Sequence, residues 1–156
     1  MSKTEFVIEP GRQDIVITRV FDAPREVVFK AMTDPNLIPK WWGPRSLETV
    51  VDQLEVRPGG RWRFTHSDDA GVYGFRGVYH DVVAPERIIQ TFEFEGAPGH
   101  VALETMTLED AGGKTKYVAQ SVHQSVEARD AMVQSGMEGG ARETIDRLDE
   151  VIQSLL

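Results

Sequence analysis

The sequence predicts an α+β fold: a curved antiparallel sheet of about seven strands wrapped around a long C-terminal helix, with two short helices after the first strand. Three observations carry this. Residues 47–124 hold alternating segments separated by turn signals, residues 141–156 switch to a helical period, and residues 23–44 read as two helices stopped by their own prolines and glycine. No repeat or linker interrupts the chain, so the expected organisation is an N-terminal lead-in, residues 1–12, followed by a single domain, residues 13–156.

The lead-in is of mixed polarity around Pro10-Gly11, with residues 5–9 as a candidate extra edge strand. Residues 14–21 alternate β-branched side chains and form the first strand. Pro24 then suits a first helical position, where its missing N–H is one that a helix start leaves unpaired anyway, and Asp22 is a cap or turn acceptor. Val27, Val28, Ala31 and Met32 fall on one face with Phe29 beside them, while Arg25, Glu26 and Lys30 face water. Asp34 precedes Pro35, which pushes it out of the helical region and ends the helix. A second, shorter helix is expected over residues 35–41, limited by Pro39 and stopped by Gly43-Pro44.

Turn signals at Pro58-Gly59-Gly60, residues 68–71, Ala84-Pro85, residues 96–99 and residues 110–113 divide residues 47–124 into six strands of hairpin connectivity. Residues 127–134 form a short helix. A glycine-rich joint, residues 136–140, then lets the last helix bend or approach the sheet closely. In that helix Met137, Ala141, Ile145, Leu148, Ile152 and Leu155 line one face, and Glu143, Arg147, Glu150 and Gln153 mark the other. The apolar face needs a large apolar partner, which only the sheet supplies, and pockets form where a curved sheet and a helix leave space.

A chain of 156 residues with 40% hydrophobic and 27% charged residues can bury a real core. It has no apolar run long enough to span a membrane, and its first twenty residues carry Glu5, Glu9, Arg12, Asp14 and Arg19 instead of a signal-peptide core, so a cytoplasmic location is expected. The absence of cysteine excludes disulfides, thiol nucleophiles and cysteine-ligated metals. A net charge of −8 opposes binding to a phosphate backbone. There is no Gly-x-Ser-x-Gly elbow, phosphate-binding loop or His-Glu-x-x-His pattern, and neither a metal nor a cofactor is expected.

Strand parity supplies the candidates for a cavity wall. Trp62, Phe64 and His66 alternate with Arg61, Arg63 and Thr65; Phe92 and Phe94 flank Glu93; Met106 and Leu108 share a face, as do Tyr117, Ala119, Ser121 and His123. With Trp42, Tyr79, and Met137, Ala141 and Ile145 of the last helix, the ligand-binding candidates are Trp42, Trp62, Phe64, His66, Tyr79, Phe92, Phe94, Met106, Tyr117, His123, Met137, Ala141 and Ile145. Plain core packing is the competing account of each. His66 and His123 have the parity to point into a cavity as proton donors or acceptors, whereas His100 lies in a turn and His80 and Asp81 point to opposite faces. Glu104 shares parity with Met106 and Leu108 and reads as a strand end open to water, ahead of an inward polar group. Trp41 and Trp42 read first as a structural anchor for the two-helix unit, ahead of an arrangement with one buried and the other at a cavity mouth.

The residues Ala23-Pro24, Glu26, Val28, Phe29, Ala31, Thr33-Asp34-Pro35 and Trp41-Trp42-Gly43-Pro44 carry a resemblance. So do Arg57-Pro58-Gly59-Gly60, Gly77-Val78-Tyr79, Pro85-Glu86-Arg87, Gly113-Lys114-Thr115, Gly136-Met137 and Leu148, in that order. The chain resembles the AHSA-type family, named after an activator of a heat-shock chaperone's ATPase, within the START/polyketide-cyclase (SRPBCC) superfamily, from about residue 15 to residue 155. The resemblance implies a helix-grip (START-like) fold with a cavity between sheet and C-terminal helix. It implies binding of a small apolar, amphipathic or aromatic ligand there. A polyketide cyclase or aromatase-like enzyme is the alternative, with His66, His123, Tyr117 or Arg63 holding a substrate and moving protons. A chaperone-associated role is the third reading; the named activator has an additional N-terminal domain, and this chain begins its match within its first twenty residues, a departure that argues against it. Exposed sheet edges make a homodimer a further expectation, and neither nucleic acid nor a membrane span is implied.

Overall fold

The computed structural model describes residues 3–156. Its eight strands form one antiparallel sheet in the order β1-β2-β8-β7-β6-β5-β4-β3. They are β1 (Glu5–Val7), β2 (Asp14–Phe21), β3 (Glu48–Leu54), β4 (Arg61–Asp68), β5 (Gly71–Val83), β6 (Arg87–Phe94), β7 (Val101–Ala111) and β8 (Lys114–Val122). From β3 to β8 the chain is an uninterrupted meander, whose turns fall at the glycine and proline clusters read in the sequence, and β8 closes it by pairing with β2. The eighth strand is β1, within the lead-in, which pairs with β2 through Glu5, Phe6 and Val7.

Helix α1 (Arg25–Thr33) comes directly after β2. Pro24 is its cap, one position earlier than expected, and its carbonyl accepts from Val27 and Val28 N–H at 3.1 and 3.3 Å. The second helix expected over residues 35–41 is only a 3-10 turn, Ile38–Lys40. Pro39 has no N–H to give, and the turn closes by Trp41 and Trp42 N–H both donating to Ile38 carbonyl.

Helix α2 (Val126–Gln134) is capped by Ser125, whose Oγ accepts from Ala128 N–H at 3.0 Å. Helix α3 (Met137–Ser154) starts earlier than the sequence suggested. The joint is Gly136 alone, at φ 86°, and Gly139 and Gly140 lie inside the helix. A Cβ on either would meet nothing within 4 Å, so these glycines serve no close approach to the sheet, contrary to expectation.

α3 packs across the concave face of the sheet. Ile145, Leu148, Val151 and Ile152 join Phe21, Val28 and Leu108 in one buried cluster, and Ile38, Trp62, Phe64, Tyr79, Ile88 and Met106 form a second. The helix is also tied by charge. Arg19, 7% exposed, donates to Thr4 Oγ1 at 2.9 Å, Asp146 at 2.9 Å and Asp149 at 2.8 Å, so both carboxylates offset its desolvation. Buried Arg129 does the same for α2, donating to the carbonyls of Asp14 and Glu9 at 3.1 and 2.8 Å. Among the described residues no helix is long and apolar enough to cross a membrane.

Candidate functional site

A cavity of about 340 Å³ lies where the two buried clusters meet, between the concave face, α3 and the loop after α1. One wall is aromatic. Trp42 sits at its centre, with ring centroids 5.1 Å from Phe64, 5.2 Å from Phe75, 6.2 Å from Trp62 and 4.7 Å from His66. Trp41 is the anchor of the pair, since its Nε1–H donates to Ala31 carbonyl at 2.9 Å, one of the carbonyls that the end of α1 leaves unpaired. Both tryptophans touch the cavity.

The floor is organised by sheet register. Tyr79, Gln90, Glu104 and Ser121 are successive cross-strand partners on β5, β6, β7 and β8, and all four line the cavity as one polar stripe. Beside it runs an apolar row, Ile88, Met106, Ala119 and Ile17, set by the same register. Within the stripe Gln90 Nε2 donates to Glu104 Oε1 at 3.0 Å, and Ser121 Oγ donates to Glu104 Oε2 at 3.4 Å.

Glu104 is thus an inward group, correcting its reading as a strand end open to water. Strand β7 is central, flanked by β6 and β8, so residue 104 has neighbours on both sides. It is one of the residues that line the cavity. Burial pushes its carboxyl above the ordinary value, and the Gln90 and Ser121 hydrogen bonds only partly oppose this. Burial also raises Tyr79 and Tyr117, the latter with help from the Glu104 charge, so both hydroxyls keep their protons. His66 is pushed down by burial and by the Arg147 charge, against a backbone hydrogen bond at Trp42, so its imidazole stays neutral further towards acid than an ordinary histidine. Its Nε2 has no hydrogen-bond partner and lies against Gly43.

The remaining wall is a loop strapped to α3. Arg147 donates to the carbonyls of Gly43 and Lys40, and Glu143 accepts from Arg45 N–H at 3.0 Å. Arg45 also pairs with Glu150, while Thr49 Oγ1 donates to Trp42 carbonyl at 2.6 Å. From the helix, Ala141, Thr144 and Ile145 reach the cavity.

Of the residues singled out in the sequence, Trp42, Trp62, Phe64, His66 and Tyr79 lie on this cavity, as do Phe92, Met106, Tyr117, Ala141 and Ile145. Three others lie elsewhere. Phe94 has the right parity but sits further along the sheet, where it lines a second hollow with His100, Ala128 and Met132. His123 lies one residue beyond the end of β8 and is covered from the α2 side, also in that second hollow. Met137 opens α3 one turn before Ala141 and falls outside the cavity. Arg63 points to the opposite face, where Glu95 holds it through two hydrogen bonds of 2.8 Å. The second hollow has an open rim, with Ala97, His100, Ala131 and Ser135 exposed.

Sequence reasoning missed Gln90, Phe75, Gly43 and Thr144 as wall residues. Gln90 has the parity of Phe92, and Phe75 that of Tyr79, so a signal was present for these two; nothing local marked Gly43 or Thr144. Among the described residues no group of three or more His, Asp and Glu is placed to hold a metal ion.

Glu104 also makes a stability prediction. Its folded form holds a proton more tightly than the unfolded chain does, so the stability it contributes is present in acid and lost as pH rises through the folded value. Glu104→Gln keeps the Gln90 hydrogen bond and never ionises. It is expected to melt above the wild type at about pH 8, with the gap closing towards about pH 4. Thermal denaturation across that range checks the sign; a variant melting lower throughout would mean that the charged form is the stabilised one.

The chain matches the family described as Activator of Hsp90 ATPase homolog 1-like protein over residues 22–153. Among solved structures it is similar to a protein from Arthrobacter aurescens, with TM-score 0.88 and 25% identity, covering 96% of this chain and 91% of that one. It is also similar to a Rhodobacter sphaeroides protein, with TM-score 0.86 and 27% identity over 97% and 100% of the two chains. A Mycobacterium smegmatis protein, at TM-score 0.85, 24% identity and 95% coverage of each chain, shares the fold. No curated protein matches. With nearly all of the region from α1 to the end of α3 inside that match, the chain belongs to the family of Activator of Hsp90 ATPase homolog 1-like proteins, and its fold is helix-grip.

Proposed function

We propose that the protein binds a small apolar or amphipathic molecule, aromatic in part, in the cavity between the sheet and α3. The observation that carries this is the composition of the wall: aromatic rings on one side, aliphatic side chains on another, and a few polar groups, four of them in the stripe across the floor. Such a surface removes apolar area from water without direction, while a few placed polar groups fix orientation. The volume is at the lower end of the roughly 300–1,000 Å³ usual for small-molecule sites. Family membership is consistent with ligand binding at this place.

The test is native mass spectrometry of protein purified from its own cells, followed by thermal shift against apolar and aromatic compounds. A ligand that binds only the folded state contributes about 2.7 kcal/mol at a hundredfold excess over its Kd. For a chain of this length that corresponds to a rise of roughly 5–10 °C. Trp62→Ala, which opens the aromatic wall, is expected to lose the response. No retained mass and no shift with any compound would reject the reading.

A cyclase-like enzyme is the second reading, favoured by the Glu104 carboxyl, the Tyr117 hydroxyl and a neutral His66 imidazole all facing one cavity. Each can hold or move a proton at a bound carbonyl or hydroxyl. Conversion of an aromatic precursor that is lost in both Glu104→Gln and Tyr117→Phe, with folding intact, would support it; turnover unchanged in both would reject it.

A further inference from the structure

We infer that the ligand of this cavity is an organic cation, a quaternary or protonated amine on an apolar body, whose charge is held by the Glu104 carboxylate and the neighbouring aromatic faces. The inference rests on the ligand-binding reading above and gives it a chemical class.

The first argument is that Glu104 lacks a counter-charge. Its two hydrogen-bond partners, Gln90 and Ser121, are neutral. The other polar groups facing it across the cavity are the hydroxyls of Tyr79 and Tyr117 and the imidazole of His66, and α3 contributes only Ala141, Thr144 and Ile145. Among the described residues no lysine or arginine is in the wall. Of the arginines around the site, Arg19 pairs with Asp146 and Asp149, and Arg147 bonds the carbonyls of Lys40 and Gly43 under the opposing charges of Glu143 and Glu150. A buried carboxylate without a cation is expensive, so this one either keeps its proton or receives a positive charge from outside the chain.

The second argument is independent of charge on the protein. Phe92 lies on the diagonal from Glu104 in the sheet register, and its ring centroid is 6.0 Å from Trp62 and 5.8 Å from Phe75, which in turn meets Trp42. Ring faces carry partial negative charge and attract ammonium groups, most strongly where water is excluded. Aromatic faces next to an unpaired carboxylate favour a cation, and the same carboxylate repels an anion. The net charge of −8 adds a long-range field of the same sign.

The same groups set the pH dependence. A cation pairs with the ionised form of Glu104, which burial disfavours, so affinity for a quaternary ammonium ion rises with pH through the Glu104 transition and then levels. Tyr79 and Tyr117, both raised, stay protonated over that range, and His66, lowered, stays neutral through its upper part.

Calorimetric titration of the full chain with benzyltrimethylammonium and with neopentylbenzene, its uncharged carbon isostere, tests this. At about pH 8 the cation is expected to bind at least tenfold tighter than the isostere, with a smaller advantage at about pH 5. Glu104→Gln is expected to abolish the advantage, so that the variant binds cation and isostere alike. Equal or weaker binding of the cation in the wild type would overturn the cationic class while leaving the cavity reading in place, and so would an advantage that persists in Glu104→Gln. Failure of both probes to bind at millimolar concentration would overturn both. Phenylacetate binding as tightly as the cation would overturn the charge preference alone.

Discussion

Gly77→Ala is expected to lower the melting temperature by about 6–16 °C, corresponding to roughly 3–4 kcal/mol of overpacking and a lost indole hydrogen bond. Gly77 on β5 is the cross-strand partner of Trp62 on β4, whose side chain is 2% exposed. The indole passes over the glycine to reach β6, where its Nε1–H donates to Thr91 carbonyl at 3.2 Å. A Cβ at position 77 would stand 1.9 Å from that carbonyl oxygen and 2.4 Å from Trp62 Nε1. Neither can yield easily, because one is sheet backbone and the other belongs to a ring packed against Phe64 and Phe92. The indole must therefore leave its seat, and its way out is the cavity, so ligand binding falls along with stability. Circular dichroism melts of the purified variant measure the first effect. A midpoint within about 2 °C of the wild type would show that β5 shifts to admit the methyl group and that Trp62 does not depend on the glycine.

Gly43→Ala is expected to cost about 2–3 kcal/mol for two separable reasons. Gly43 has φ 88°, where any side chain is strained, and its Cβ would lie 2.2 Å from His66 Nε2. The backbone part of the cost stays whatever occupies position 66. The contact part does not: in a His66→Ala background the ring is gone. A double-mutant cycle by denaturant unfolding should then show the pair less destabilised than the sum of the single variants, by about 1 kcal/mol or more. Strict additivity would mean that the imidazole turns aside freely. That outcome would also remove the reason for thinking that His66 has a fixed position in the wall.

These two glycines show what the sequence made legible and what it did not. The six-strand meander was readable because each turn carries glycine, proline or aspartate, and the direction of Trp62, Phe64, Tyr117 and Ala119 came from alternation alone. Alternation reports the face of a strand and is silent on position along it. That is why Phe94 and His123, with the parity of the concave face, end up in the neighbouring hollow, and why Glu104 read as a strand end although β7 is flanked on both sides. Depth depends on which strands pair, and pairing is a long-range property. Helix boundaries failed for another reason: Gly139 and Gly140 have poor helical propensity, yet the first turns of α3 form through them, at an exposed place where the cost is modest. Arg147 and Glu143 looked like a solvent-facing stripe of α3. Nothing local announces that the loop of residues 40–45 comes back to meet them.

That return has a consequence for the protein as it is being made. The loop around Trp42 is synthesised about a hundred residues before its clasp, with Arg147 bonded to Gly43 across a separation of 104 positions and to Lys40 across 107. Arg19 likewise waits for Asp146 and Asp149, and Thr4 for Arg142. A nascent chain that has produced every strand but not yet α3 has a sheet with one wall missing, an aromatic cluster open to water and a loop with two idle carbonyls. The pocket thus waits for the synthesis of α3, and a chain cut short before residue 137 would lack the helical wall that Ala141, Thr144 and Ile145 supply.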